Sequence, residues 1–286
     1  MVFAGVFPQE GDDYGPLREA MERLKLNDAA LVYEPEQSPA LGYGFRVGLL
    51  GMLHLEILKD RMEREYSVVT NSGRPMVAYH ETVTDRATAI HVFDREFGGS
   101  RHFAKVALEV SAATRGAGTE IDVAVSDTQI PAAYKAAVRD GVTDGLMTGI
   151  LARFPLTDVT VRITGGAFDP ESSSEVAFRT AAVMALREAI MAASPEVLEP
   201  IMAVEVVTPA DYMGEILSDV SQRRGKVQSM EAVGDLQVVK AAVPLAELFG
   251  YSTAVRSLSR GRASYTMEPT HFAVAPAVLK ERLLNQ

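Results

Sequence analysis

The stretch from Leu198 to Arg262 constrains the fold of this chain more than any other. Ile201–Val207 is a run of β-branched and apolar residues stopped by Thr208-Pro209, which reads as a strand. Tyr212, Ile216 and Val220 then recur at i, i+4 and i+8, the spacing of a helix from about Asp211 to Arg224. Arg223 and Arg224 close that helix, where positive charge suits the dipole, and Gly225 stands where a helix-ending glycine belongs. Lys226–Ala232 and Leu236–Val243 form two strands divided by Gly234-Asp235. A helix over Leu245–Ser259 and a strand over Ala263–Pro269 complete a β-α-β-β-α-β order, which places both helices on one face of a single sheet.

The preceding residues alternate strands and helices in smaller groups. Met1–Phe7 reads as the end of a strand whose partners lie upstream, so the chain is expected to be the C-terminal part of a longer protein. Leu17, Met21 and Leu24 mark a helix over Tyr14–Leu26, and Leu55, Leu58 and Met62 mark another over Met52–Glu65. Between them lie strands at Ala29–Glu34 and Gly42–Leu50, with Pro35 and Pro39 in the loop; Val68–Thr70 and Met76–His80 follow, with a turn at Asn71-Ser72-Gly73.

In the middle of the chain, strands at His91–Phe93 and Phe103–Ser111 flank Gly98-Gly99, and Glu120–Val125 alternates as a third. A long helix from Pro131 to about Arg153 carries Val138, Val142, Leu146 and Ile150 on one stripe. Gly141, Gly145 and Gly149 form the next stripe, a row that lets another backbone approach closely. Asp158–Thr164 is a strand, the loop Gly165–Glu171 follows, and Ser172 with Glu175 has capping-box spacing for a helix to about Ala193.

Composition removes several classes of function. The chain has no cysteine, which excludes disulfides, thiolate catalysis and cysteine zinc sites and fits a cytoplasmic protein. No apolar run approaches the ~18 residues of a membrane span. A net charge of −10 argues against a general nucleic-acid binder but leaves room for local basic patches. No G-x-x-x-x-G-K-[ST] loop occurs, because Gly98-Gly99-Ser100 lacks the lysine, the spacing and a following helix. The five histidines, His54, His80, His91, His102 and His271, have no paired ligand spacing, and no G-x-S-x-G elbow appears. His54 reads as a packing or helix-end residue, and Ser172–Ser174 as a helix start rather than a nucleophile.

Three groups of motifs resemble one family. LEPI, YMG, QRRG, PLAELFGY and RSLSRGRASYTME are similar to the fifth domain of bacterial elongation factor G. IPAAYKAAVRDGVTDGLMTGILARFPLTDVTVRITGGAFDPESSSEVAFRTAA is similar to its fourth domain. VFAGVFP, LREAMERLKLNDAALVYEPEQSPALGYGFRVG and LGMLHLEILKDRMEREYSV resemble the third domain of translational GTPases, in wording closer to elongation factor 4, whereas GRPMVAYHETV is closer to factor G.

The resemblance implies an α+β chain of three small domains. Residues 1–10 would be a remnant of a preceding domain. Residues 11–80 and 198–286 would be ferredoxin-like βαββαβ sandwiches. Residues 81–197 would form the arm between them, of ribosomal-protein fold, whose two-loop tip in this family enters the ribosomal decoding site. The tip loops fall at Phe97–His102 and Gly165–Glu171, and both depart from the family. Ser100-Arg101-His102-Phe103 replaces the arginine-glycine-glutamine-tyrosine after the double glycine, and Asp169 replaces a histidine.

The expected partner is the ribosome, bound by a cytoplasmic monomer with no membrane role. This chain would hold no cofactor and catalyse nothing, GTP and magnesium belonging to an upstream domain. Contact candidates are Arg101, His102, Lys105 and Asp169 at the tip, with Arg95 nearby. In the last domain they are Arg223, Arg224, Lys226, Arg256, Arg260 and Arg262, two groups that a shared helical face could join into one phosphate-binding patch. Dipole complementation and a solvated hairpin are the plainer readings of the same charges. Alternatives are a fragment of a full-length GTPase paralogue, of factor 4 or ribosomal-protection type, and a metabolic binding protein built on ferredoxin-like modules.

Overall fold

A computed structural model describes residues 2–9, 13–38, 41–49, 52–72 and 76–285. The readings made at Met1, Pro39, Leu50 and Gly73 lie outside the described residues.

The first sheet comprises β1 (Val2–Pro8), β2 (Val32–Ser38), β3 (Gly42–Leu49) and β4 (Thr70–Ser72), in the order β2-β3-β1-β4. Helices α1 (Tyr14–Asn27) and α2 (Met52–Tyr66) supply its core, and β5 (Met76–Val77) also pairs with β1. β1 runs antiparallel to β3 and β4, with Val6 opposite Phe45 and Phe7 opposite Asn71. This corrects the reading of residues 1–10 as a remnant, because the partners of β1 come later in the chain. Ala4 and Val6 join Leu17, Met21, Leu24, Leu55, Leu58 and Met62 in one apolar cluster, and burying them requires a central strand. With β1 included, the first domain has the full β-α-β-β-α-β order.

The middle domain begins with β6 (His80–Val83). Its four-stranded sheet holds β7 (Ala87–Phe97), β8 (Ser100–Ala112), β9 (Thr119–Val123) and β10 (Val159–Ala167), in the order β7-β8-β10-β9. Helices α3 (Ala132–Thr148) and α4 (Glu175–Ala192) share its core, which includes Val106, Leu108, Val110, Val161, Ile163, Phe178 and Leu186. A Cβ on Gly141 would lie 2.5 Å from the Arg179 carbonyl oxygen of α4, and one on Gly145 would lie 2.7 Å from Leu186 Cδ2. The glycine stripe therefore brings the two helices together, as its spacing predicts. Gly149 lies outside that seam, because with φ 79° it ends α3 at Thr148 rather than at Arg153.

The cap of α4 is also corrected. Ser174, not Ser172, is the capping residue, and its hydroxyl accepts from the Ala177 N–H at 3.3 Å. Ser172 instead donates its N–H to Asp169 O at 3.3 Å.

In the last domain, β11 (Pro195–Pro209), β12 (Lys226–Val233), β13 (Leu236–Pro244) and β14 (Ser264–Val274) take the order β12-β13-β11-β14. Helices α5 (Met213–Gln222) and α6 (Tyr251–Leu258) bury Ile216, Val220, Tyr251 and Val255. The single helix expected over Leu245–Ser259 is split. Gly250, at φ 71°, divides a 3-10 turn at Leu245–Leu248 from α6. A final helix, α7 (Ala277–Leu284), had no counterpart in the sequence reading.

Contacts divide the chain into two compact units, residues 1–78 with 200–271 and residues 79–199 with 272 onward. The last residues, expected within the domain 198–286, thus group with the middle of the chain, because Ala275 and Leu279 bury against Val197. Among the described residues, no helix is long and apolar enough to cross a membrane.

Candidate nucleic-acid interface

The first tip loop is a tight hairpin. Phe97 pairs with Ser100 across Gly98-Gly99, and both glycines have positive φ, 59° and 80°. That two-residue turn matches the twist of its strands, and a side chain at either position would be strained. The second loop is sewn to the hairpin through backbone and hydroxyl groups. Phe103 N–H donates to Ser172 O at 2.9 Å, and Ser173 Oγ donates to Phe103 O at 2.8 Å. His102 Nδ1 lies 3.2 Å from Ser174 Oγ, so the α4 cap and the hairpin share one hydroxyl.

The charges at the tip are largely spent on one another. Arg101 Nε and Nη2 each donate to Asp94 at 2.8 Å, a bidentate pair, and its Nη1 lies 3.6 Å from Asp169 Oδ2. The guanidinium also sits over the Phe103 ring, 5.5 Å from its centroid. The Arg101 hydrogen bond holds the Asp94 carboxyl below its ordinary range, and the same pairing raises Arg101. Asp169 is likewise lowered, first by the Glu171 N–H at 2.9 Å and further by Arg101. The hairpin and loop hold Asp94, Glu96, Asp169 and Glu171 against Arg95, Arg101 and Lys105, so the positive field expected at this loop is balanced by carboxylates.

In the last domain the two arginine groups differ in their partners. The β-α-β-β-α-β order makes α5 and α6 antiparallel, so the end of α5 meets the start of α6. Arg223 Nε donates to Asp219 Oδ2 at 2.8 Å, its Nη1 to the Glu247 carbonyl, and its guanidinium lies 5.0 Å from the Tyr251 ring centroid. Arg224, at φ 58°, donates to Glu247 Oε1 at 2.9 Å. Both arginines therefore tie α5 to the turn before α6. Arg256, Arg260 and Arg262 are exposed at the opposite end of α6, and neither they nor Lys226 form an ion pair among the described residues. Of the six cations, Arg223 and Arg224 are thus engaged by carboxylates, and the other four have no ion pair among the described residues.

One residue with a large structural role carried no sequence signal. Glu81 is fully buried, and its carboxylate accepts four backbone N–H groups, from Ile150 and Leu151 at 2.8 Å, Ala152 at 2.6 Å and Phe154 at 3.1 Å. Among the described residues, no group of histidines and carboxylates is arranged to hold a metal ion.

Two family models match this architecture: elongation factor G, domain IV, over residues 75–194, and elongation factor G C-terminus, over residues 196–283. Elongation factor G 2 of Desulfotalea psychrophila is 39% identical over 286 residues, covering 100% of this chain and 41% of that protein. A crystal structure from Thermus thermophilus superposes with a TM-score of 0.77 at 30% identity, over 99% of this chain and 42% of that one. The chain thus spans about two-fifths of the length of these relatives. The hairpin arm lies in the residues matched to domain IV, and the β11–β14 sheet in those matched to the C-terminus. The chain carries domain IV and the C-terminal domain of the elongation factor G family, and the whole-chain match takes in the first domain as well.

Proposed function

We propose that this chain is the ribosome-binding end of an elongation factor G-type translocase, acting as a cytoplasmic monomer. The observation that carries the reading is the hairpin of β7 and β8, buttressed by the 168–174 loop, within the region matched to domain IV. A narrow, hydrogen-bonded tip suits entry into the decoding site in the manner of a transfer RNA. Its balanced charge makes it a shape-reading element more than an electrostatic one. Arg256, Arg260 and Arg262, with Lys226, which have no ion pair among the described residues, would supply phosphate contacts near the factor-binding centre. GTP and magnesium would be handled by residues other than these, since no phosphate-cradling loop occurs in the chain. Ser100-Arg101-His102-Phe103 and Asp169, with Arg101 locked by Asp94, favour binding over efficient movement of transfer RNA.

The test is co-sedimentation with purified 70S ribosomes across a salt series. Each phosphate contact contributes roughly 0.7–0.9 to the slope of log K against log salt, so replacing Arg256, Arg260 and Arg262 with Glu should flatten that slope by ~2. No binding at the lowest salt, or an unchanged slope in the triple variant, refutes the reading.

A further inference from the structure

We propose that Glu81 is the positioning residue of a C-terminal latch: its carboxylate shapes the 150–154 loop into the seat on which α7 docks. A carboxylate placed in the protein interior needs partners for both oxygens, and here Oε1 and Oε2 each accept two N–H groups from consecutive turns of one loop. The Glu81 backbone fixes the C-terminal side of the same segment, its N–H donating to Pro155 O at 2.9 Å and its carbonyl accepting from Thr157 N–H at 2.8 Å. With the Leu156 N–H donating to Leu146 O at 2.8 Å across its base, the loop takes the shape of its interior from the Glu81 side chain.

The side chains that this loop presents are the ones α7 meets. Leu151, Ala152 and Phe154 pack with Tyr79 and Val197 against Ala275, Leu279 and Leu283, which recur at intervals of four. Val197 stands directly opposite Glu81 in the pairing of β6 with β11, so the nest and the seat share one strand position. Beside it, Lys280 Nζ donates to Pro195 O at 2.8 Å and to Glu196 Oε2 at 3.0 Å. An eight-residue helix is far below the ~12–15 residues at which isolated helices become even marginal, so α7 owes its form to this seat. Few anchors hold it, which makes it a latch that can open without unfolding the sheet beneath.

Hydrogen exchange on the full chain tests the order of dependence, and does so independently of any ribosome binding. Glu81→Gln leaves one acceptor oxygen and introduces donors facing N–H groups. Exchange should rise at least tenfold both at residues 150–154 and in α7, with β8 and β10 unchanged. Leu279→Asp should release α7 while residues 150–154 stay protected, because Glu81 still holds them. If Glu81→Gln prevents folding, Glu81→Asp, which withdraws the charge by one carbon–carbon bond, should loosen loop and helix together. Unchanged α7 protection in the Glu81 variants overturns the proposal. So does Leu279→Asp deprotecting the loop as much as Glu81→Gln, since the helix would then be shaping the seat.

Discussion

Replacing Gly141 with alanine puts the close approach of α3 and α4 to a quantitative test. The added Cβ would stand 2.5 Å from the Arg179 carbonyl oxygen, whereas real Cβ contacts essentially never fall under 3.0 Å, so the helices must separate by the difference. The obstacle is backbone and cannot rotate away. Overpacking of this kind costs about 1–3 kcal/mol, with the upper part of the range expected here. Alanine returns about 1 kcal/mol of helix propensity, leaving a net loss of ~1–2 kcal/mol. Two controls bracket the result. At Gly145 the neighbour is the end of a leucine side chain, Leu186 Cδ2 at 2.7 Å, which can turn aside, so Gly145→Ala should be close to neutral. At Gly214 nothing lies within 4 Å, so Gly214→Ala should stabilise by about 0.4–1 kcal/mol. Urea denaturation followed by far-UV circular dichroism gives the magnitudes. Hydrogen exchange in β8 and β13 assigns each change to its unit. A Gly141→Ala chain as stable as the parent would refute the close-approach argument. The displacement also reaches the tip, since Tyr134 on α3 stacks on Phe178 of α4 at 4.9 Å and donates to Ser173 O at 3.3 Å.

Three further outcomes follow from particular contacts. Asp94→Asn with Asp169→Asn should free Arg101, steepening the salt dependence of ribosome co-sedimentation by roughly 1, whereas an unchanged slope would mean that Arg101 never meets phosphate. Burial pushes the Tyr251 hydroxyl well above the ordinary phenol range, and this hydroxyl has no hydrogen-bond partner among the described residues. A raised folded-state value means stability is fully present below pH ~10 and falls above it as the unfolded tyrosine ionises, by at most ~1.4 kcal/mol per pH unit. Tyr251→Phe should cost under ~1 kcal/mol at pH 7 and flatten that alkaline slope in urea titrations; a large loss at pH 7 would reveal a partner for the hydroxyl. Arg223→Ala should destabilise by about 1.5–3 kcal/mol, as expected for lost charged hydrogen bonds, and Arg256→Ala by less than ~0.5 kcal/mol, both by thermal melting.

The sequence carried the β-α-β-β-α-β order of the last domain because Tyr212, Ile216 and Val220 repeat at helical spacing and Gly234-Asp235 punctuates the strands. It misplaced β1 for a physical reason: pairing between Val6 and Phe45 is a long-range choice that no local pattern encodes. The α4 cap slipped from Ser174 to Ser172 because three consecutive serines offer the same hydroxyl, and only packing selects one. For Arg223 and Arg224 a phosphate patch and dipole complementation stayed side by side, since charge type is visible in a sequence and its partner is not. Glu81 left no trace at all. Its four partners are backbone amides some seventy residues away, and any residue type could supply them.

The distribution of paired and unpaired cations gives the acidic chain a division of labour. At the tip, Arg101 is occupied by Asp94, and the loops carry compensating carboxylates. At the end of α6, Arg256, Arg260 and Arg262 project without ion-pair partners among the described residues. If the ribosome is the partner, long-range attraction acts on the last domain, while the arm contributes through fit. A tip without net positive charge would suit an element that enters and leaves its site, because a phosphate-gripping tip would hold that site against release. Salt should therefore weaken anchoring far more than it alters the discrimination made by the arm, and tip variants that preserve charge but change shape, such as an alanine at Gly98, should lose function without changing the salt slope.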